Sequence, residues 1–210
     1  MKKILQQVKG LTIGYKEKEL FSNIDFEICE GDCILLCGAN GSGKTTLLKA
    51  LAETKTKTDI EAAMIPTRIP KVKGFTLREF IDLSCCNSPA ANPDKALEML
   101  SLTGLADRDI STLSDGEFQK GTIAAAIAKG AEIIYLDEPT AFLDAENKKK
   151  VLKALRDLCE STGKAIIFSS HDLHEGLNIC NKVIALGADG ILRISSSDRE
   201  VTVSTIFSNE

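Results

Sequence analysis

Short apolar runs alternate with longer mixed stretches along this chain. CILLC (33–37), IIYL (133–136) and AIIF (165–168) are strand-sized runs bounded by polar residues. Unbroken apolar runs of that length mark strands buried on both faces. Between them lie stretches that read as helices: KTTLLKALAE (44–53), SDGEFQKGTIAAAIAKG (114–130), AENKKKVLKALRDLCEST (145–162) and the shorter HDLHEGLNIC (171–180). DIEAAMIP (59–66) predicts a further strand, ended by Pro66, and KVIALG (182–187) another. The alternation predicts an α/β fold, a mostly parallel sheet covered by helices.

Two regions break the alternation. At the start, ILQQVKGLTI and NIDFEI predict an antiparallel pair, with GYKEKELFS turning between them. From Thr67 to about Ser111, Pro70, Pro89 and Pro93 interrupt helical segments near FTLREFIDLS and PDKALEMLSLTGL, which predicts a helical insertion. The chain therefore reads as one domain: core segments 1–66 and 113–194, an insertion at 67–112, and a polar tail at 195–210. The lysine run at 148–150 reads as the solvated face of a helix.

Composition narrows the function. No apolar run approaches the ~20 residues of a membrane span. MKKILQQVKG has lysines but no sustained apolar region after them, so no signal peptide is expected. Lysine and arginine total 26 against 30 acids, a net charge of −4. That balance argues against a nucleic-acid footprint, and no nucleic-acid partner is expected. The 7 cysteines include no CxxC pair. Cys29, Cys33 and Cys37 are evenly spaced, but Glu30-Gly31-Asp32 reads as a turn between the first two, and adjacent Cys85 and Cys86 cannot bridge without strain. Buried, reduced thiols are expected.

The chemistry sits at the ends of the strands. Gly38-Ala39-Asn40-Gly41-Ser42-Gly43-Lys44-Thr45 matches G-x-x-x-x-G-K-[ST] between a buried strand and a helix. The glycines Gly41 and Gly43 permit a tight wrap, so that backbone N–H groups around Asn40 and Ser42 point at phosphate oxygens. The helix start adds favourable partial charge. Lys44 is expected to reach the β- and γ-phosphates of ATP, the Thr45 hydroxyl to ligate Mg²⁺, and Thr46 to contact the α-phosphate. EIIYLDE (132–138) supplies the other half of such a site, an apolar strand ending in acids. Asp137 is expected to hold Mg²⁺ through its waters, and Glu138 to polarise the attacking water.

Those two motifs are common to P-loop NTPases. LSDGE (113–117) ends 20 residues before Asp137; Pro139-Thr140-Ala141-Phe142-Leu143-Asp144 follows Glu138, and His171 follows the next strand. This order resembles the ATP-binding subunit of an ABC transporter, from Tyr15 to about Gly187. The resemblance implies a RecA-like P-loop NTPase core with an N-terminal antiparallel β subdomain and the helical insertion. It implies ATP hydrolysis by a homodimer closed around two Mg-ATP, driving a separate membrane permease from the cytoplasmic face of the membrane, with a solute-binding protein as a further partner acting through that permease. Residue by residue, Tyr15 resembles the aromatic that stacks on adenine. Ser114 and Gly116 resemble the segment that grips the γ-phosphate held by the other copy. Asp144 resembles the acid of the loop linking the two sites. His171 resembles the histidine that contacts the γ-phosphate and orients the water beside Glu138. His174 has no such role and reads as surface.

Three positions depart from the family pattern, usually L-S-G-G-Q at 113–117. Asp115 replaces its first glycine and Glu117 its glutamine, and Thr67 stands where a glutamine usually reaches Mg²⁺. The acids are expected to be tolerated because the anion meets a hydroxyl and backbone amides, with Asp115 projecting away or capping its helix. The same departures, with EPTAFLD, resemble importers of iron–siderophore, haem or cobalamin complexes. A soluble ABC-type ATPase uncoupled from transport is the alternative. A small-molecule kinase is a third reading, in which LSDGE and His171 have no evident use.

Overall fold

The computed structural model describes residues 2–15, 18–54, 60–85, 88–187, 189 and 191–196, with the backbone alone at 15 and 18. Strands β1 (Ile4–Tyr15) and β2 (Lys18–Cys29) pair antiparallel, from Ile4 opposite Cys29 to Tyr15 opposite Lys18. The expected turn over GYKEKELFS is therefore too long: strand pairing persists from Lys18 onward. The charges there do not prevent a strand, because Phe21 is buried and Leu20 packs beside it while Glu19 stays exposed.

The main sheet has the order β4-β5-β6-β3-β7-β8. Strands β3 (Cys33–Gly38), β4 (Ala62–Ile65), β5 (Ile133–Leu136), β6 (Ala165–Ser169) and β7 (Lys182–Leu186) are parallel. Strand β8 (Leu192–Ser195) joins β7 antiparallel at one edge, an element the sequence reading lacks. The fold is α/β, as the alternation predicts, with that one antiparallel addition.

Alternate residues of each central strand enter opposite cores. Ile34, Leu36, Ile133, Tyr135, Ile167 and Ile184 pack with the β1–β2 hairpin and helix α1 (Lys44–Glu53). Cys33, Leu35, Ile134, Leu136, Ile166 and Phe168 pack beneath the other helices. Each such side chain stabilises the fold by about 1.5–3 kcal/mol relative to exposure. Burial on both faces explains why the strands read as unbroken apolar runs.

On that second face, α4 (Asp115–Ala128) is buried almost all round. Helix α2 (Leu77–Ser84) crosses it so closely that a Cβ on Gly121 would come 2.7 Å from Leu77 Cδ1. Helix α3 (Pro93–Met99) packs beside both, starting at Pro93 with Asn92 as its cap. Helices α5 (Ala145–Thr162) and α6 (Leu173–Ile179) complete the layer. Cys33, Cys37, Cys85, Cys159 and Cys180 are buried and outside any disulfide, while Cys29 is half-buried; Cys86 lies outside the described residues.

Candidate active site

The site forms where β3, β5 and β6 end and α1 begins, at the carboxyl edge of the parallel strands. The β3–α1 loop bends through Gly41 (φ 77°) and Gly43 (φ 104°), a left-handed path that favours glycine. Helix α1 has no side-chain cap and no acid in its first turn, so its leading N–H groups and partial positive charge stay available to an anion. Ser42 Oγ is buried without a hydrogen-bond partner among the described residues. The Lys44 ammonium donates to the carbonyls of Gly38 (2.9 Å) and Ala39 (3.1 Å), folding it into the loop it follows.

Asp137 organises the opposite wall and is 4% exposed. Its Oδ2 accepts from the Thr45 and Thr67 hydroxyls, each at 2.8 Å. Its Oδ1 accepts from Ser169 Oγ at 2.8 Å, and that hydroxyl in turn accepts from Glu138 N at 2.8 Å. The oxygen donors of Thr45 and Asp137 suit a hard cation such as Mg²⁺, and the uncapped helix start suits a phosphate.

Glu138 follows with φ 52°, a left-handed conformation that a non-glycine residue holds only where its surroundings impose it. Its Oε1 lies 3.0 Å from His171 Nε2. That approach is not an aligned hydrogen bond, since Oε1 has no hydrogen-bond partner among the described residues. Burial pushes the Glu138 carboxyl above the usual range, against the opposing pull of His171 and Lys44. A carboxylate poised in this way is equipped to take a proton from water.

Asn40, Gly41, Gly43, Lys44, Thr45, Thr46, Thr67, Asp137, Glu138 and His171 thus line one open cavity of about 550 Å³. Ser114, Gly116 and Asp144 do not line it. Ser114 is exposed and caps α4: its Oγ accepts from Glu117 N (3.2 Å) and its own N–H donates to Glu117 Oε2 (2.8 Å). Asp115 does not cap; its carboxylate sits 2.7 Å from Lys71 Nζ. Gly116 packs against the loop after Glu138, where a Cβ would stand 3.1 Å from the Phe142 carbonyl. Asp144 caps α5, accepting from Asn147 N and Nδ2 at 2.8 Å each. The Tyr15 side chain lies outside what is described, and His174 is exposed.

Sequence reasoning left Ser169 unassigned and placed Thr67 only where a glutamine usually reaches Mg²⁺. Both bond directly to Asp137. The signal for Ser169 was a polar residue ending a buried apolar strand just before His171, at the sheet edge where α/β proteins place ligands. Lys71 had no such signal, because its partners lie more than 40 residues away.

A G-x-x-x-x-G-K-[ST] loop between a buried parallel strand and an uncapped helix start, facing a strand that ends in acids, defines a P-loop nucleoside triphosphatase. Within that class the chain belongs to the ABC transporter family: residues 21–141 match its family model. It is accordingly an ATP-binding, ATP-hydrolysing subunit of that family. It is 29% identical to the achromobactin transport ATP-binding protein CbrD of Dickeya dadantii, over 85% of this chain and 77% of that protein. It is 28% identical to the cobalamin import ATP-binding protein BtuD of Halobacterium salinarum, over 92% of this chain but only 55% of that protein. Among solved structures it resembles an inward-facing structure described as a metal-chelate type ABC transporter (TM-score 0.82, 26% identity, 96% of this chain and 88% of that one).

Proposed function

We propose that two copies of this chain close face to face around two Mg-ATP and drive import of an iron complex or similar chelate through a separate permease. Each nucleotide lies between one copy's Gly38–Thr45 loop and the other copy's Ser114–Gly116 segment. The observation that carries this reading is the division of the family's site residues. Lys44, Asp137, Glu138 and His171 share one cavity, while Ser114 stands exposed outside it at a helix start. A grip on the same phosphate from that segment has to come from a second chain.

The roles follow from the groups present. Lys44 leaves its loop carbonyls to reach the β- and γ-phosphates. Thr45, and Asp137 through waters, would hold Mg²⁺, which would supply neutralisation of phosphate charge; Thr67 and Ser169 keep the Asp137 carboxylate oriented. Glu138 takes the proton as a water oxygen bonds to the γ-phosphorus and the bond to the β–γ bridging oxygen breaks. His171 steadies that glutamate and the departing γ-phosphate. Tyr15 stacks on adenine, and Asp144 couples the two sites from the start of α5. Because the second grip exists only in the closed pair, ATP binding favours closure, and loss of the γ-phosphate releases it.

The insertion, residues 67–112, faces the permease, which sets the cargo. Val72, Phe75 and Leu83 are exposed apolar side chains of that segment, as an interaction surface requires. No described helix is long and apolar enough to cross a membrane. In this reading the permease holds the chain at the inner membrane face. The likeness to CbrD, an achromobactin transport protein, supports the chelate cargo, and the likeness to BtuD, a cobalamin import protein, supports import. Steady-state ATP turnover of Ser114→Arg tests the two-chain site: the reading expects turnover lost with nucleotide binding retained, and intact turnover overturns it.

A further inference from the structure

The start of α4 presents two acids where the proposed grip must receive a phosphate. Their charges are answered differently. Glu117 is turned back into the capping box on Ser114 and lies 4.0 Å from Arg108. Asp115 is answered by Lys71, which comes from the segment that follows β4. Lys71 Nζ stands 2.7 Å from Asp115 Oδ1, donates to the Leu113 carbonyl at 2.7 Å, and lies 5.7 Å from the centre of the Phe118 ring. One ammonium thus touches the residues on both sides of Ser114 and the first turn beyond. The Lys71 side chain is 24% exposed and that of Asp115 76%, so the cation is the more sheltered partner. Arg68, stacked 5.3 Å over the Phe142 ring, lines the same groove.

From this geometry we infer that Lys71 is a positioning residue for ATP hydrolysis. It neutralises Asp115 and holds the start of α4 in the form that receives the terminal phosphate of the nucleotide on a second copy. The inference rests on the two-copy reading above. A single negative charge within a few ångströms of a phosphate is repulsive enough to change binding severalfold even near solvent. The pair Asp115–Lys71 therefore replaces, as a neutral unit, the glycine that is usual at position 115. A surface ion pair with no functional duty would contribute little.

The test is a double-mutant cycle in the full chain with K71A, D115G and K71A/D115G, reading ATP turnover against salt concentration. K71A is expected to slow turnover roughly tenfold and to raise the ATP concentration needed for pairing of two copies. K71R is expected to restore both. D115G is expected to hydrolyse ATP at least as fast as the parent, and K71A added to D115G to cost less than about twofold. Binding of a fluorescent ATP analogue to single chains is expected to be equal in all four, since Lys44 is untouched. An equal loss from K71A in both backgrounds, or no loss in the parent, overturns the inference. Ser114→Arg separates the two levels. If it retains turnover, the two-copy grip itself fails. If it is inactive while the Lys71 and Asp115 effects simply add, only the role of Lys71 fails.

Discussion

Glu138 concentrates the chemistry at the scale of single residues. Its carboxyl titrates above an ordinary glutamate because it is buried, with His171 and Lys44 opposing that rise. A general base works deprotonated, so activity is lost as pH falls through its raised pKa. The acidic limb of the rate profile is therefore expected above the ~4.3 of a free glutamate. Glu138→Gln is expected to keep ATP binding, slow hydrolysis by roughly 10²–10⁴-fold and abolish that limb. Single-turnover rates across pH give both readings at once. Lys44→Ala is expected to lose nucleotide affinity itself, measured by equilibrium binding. The residues behind these predictions were legible in the sequence, because a phosphate loop and an acid-ended strand are contiguous motifs. Ser169 and Lys71 were less so: each acts on a carboxylate brought near only by folding, and no local spacing reports that proximity.

Among the elements, the parallel strands were legible because burial on both faces writes them as unbroken apolar runs. The edges were not. Strand β8 has one strand neighbour and only partly buried or exposed residues, so Leu192–Ser195 carries no apolar run. The hairpin turn was overestimated for the converse reason: charge was read as a turn where a strand exposes one face. The α2–α4 crossing offers a direct check on packing. Gly121→Val would press a side chain into Leu77 and is expected to destabilise the fold by about 1–3 kcal/mol, read as a lower urea midpoint. Gly121→Ala tests how far Leu77 can yield, and a midpoint unchanged in the valine variant would contradict the close crossing.

For the whole molecule, the account predicts that hydrolysis and coupling can be separated. Leu83 is 55% exposed on α2, far along the chain from the phosphate loop. Leu83→Asp is expected to weaken co-purification with the permease while leaving the ATPase of the isolated subunit within about twofold, since exposed substitutions change stability little. Loss of both together would place that helix in the catalytic core instead.

The central claim, that two copies together clasp each of two nucleotides, is most directly tested by sedimentation equilibrium of Glu138→Gln with and without ATP. A shift from one-chain to two-chain mass on adding ATP is predicted, and Glu138→Gln/Ser114→Arg should stay at one-chain mass while still binding the nucleotide. A single-chain mass for Glu138→Gln at saturating ATP would contradict it.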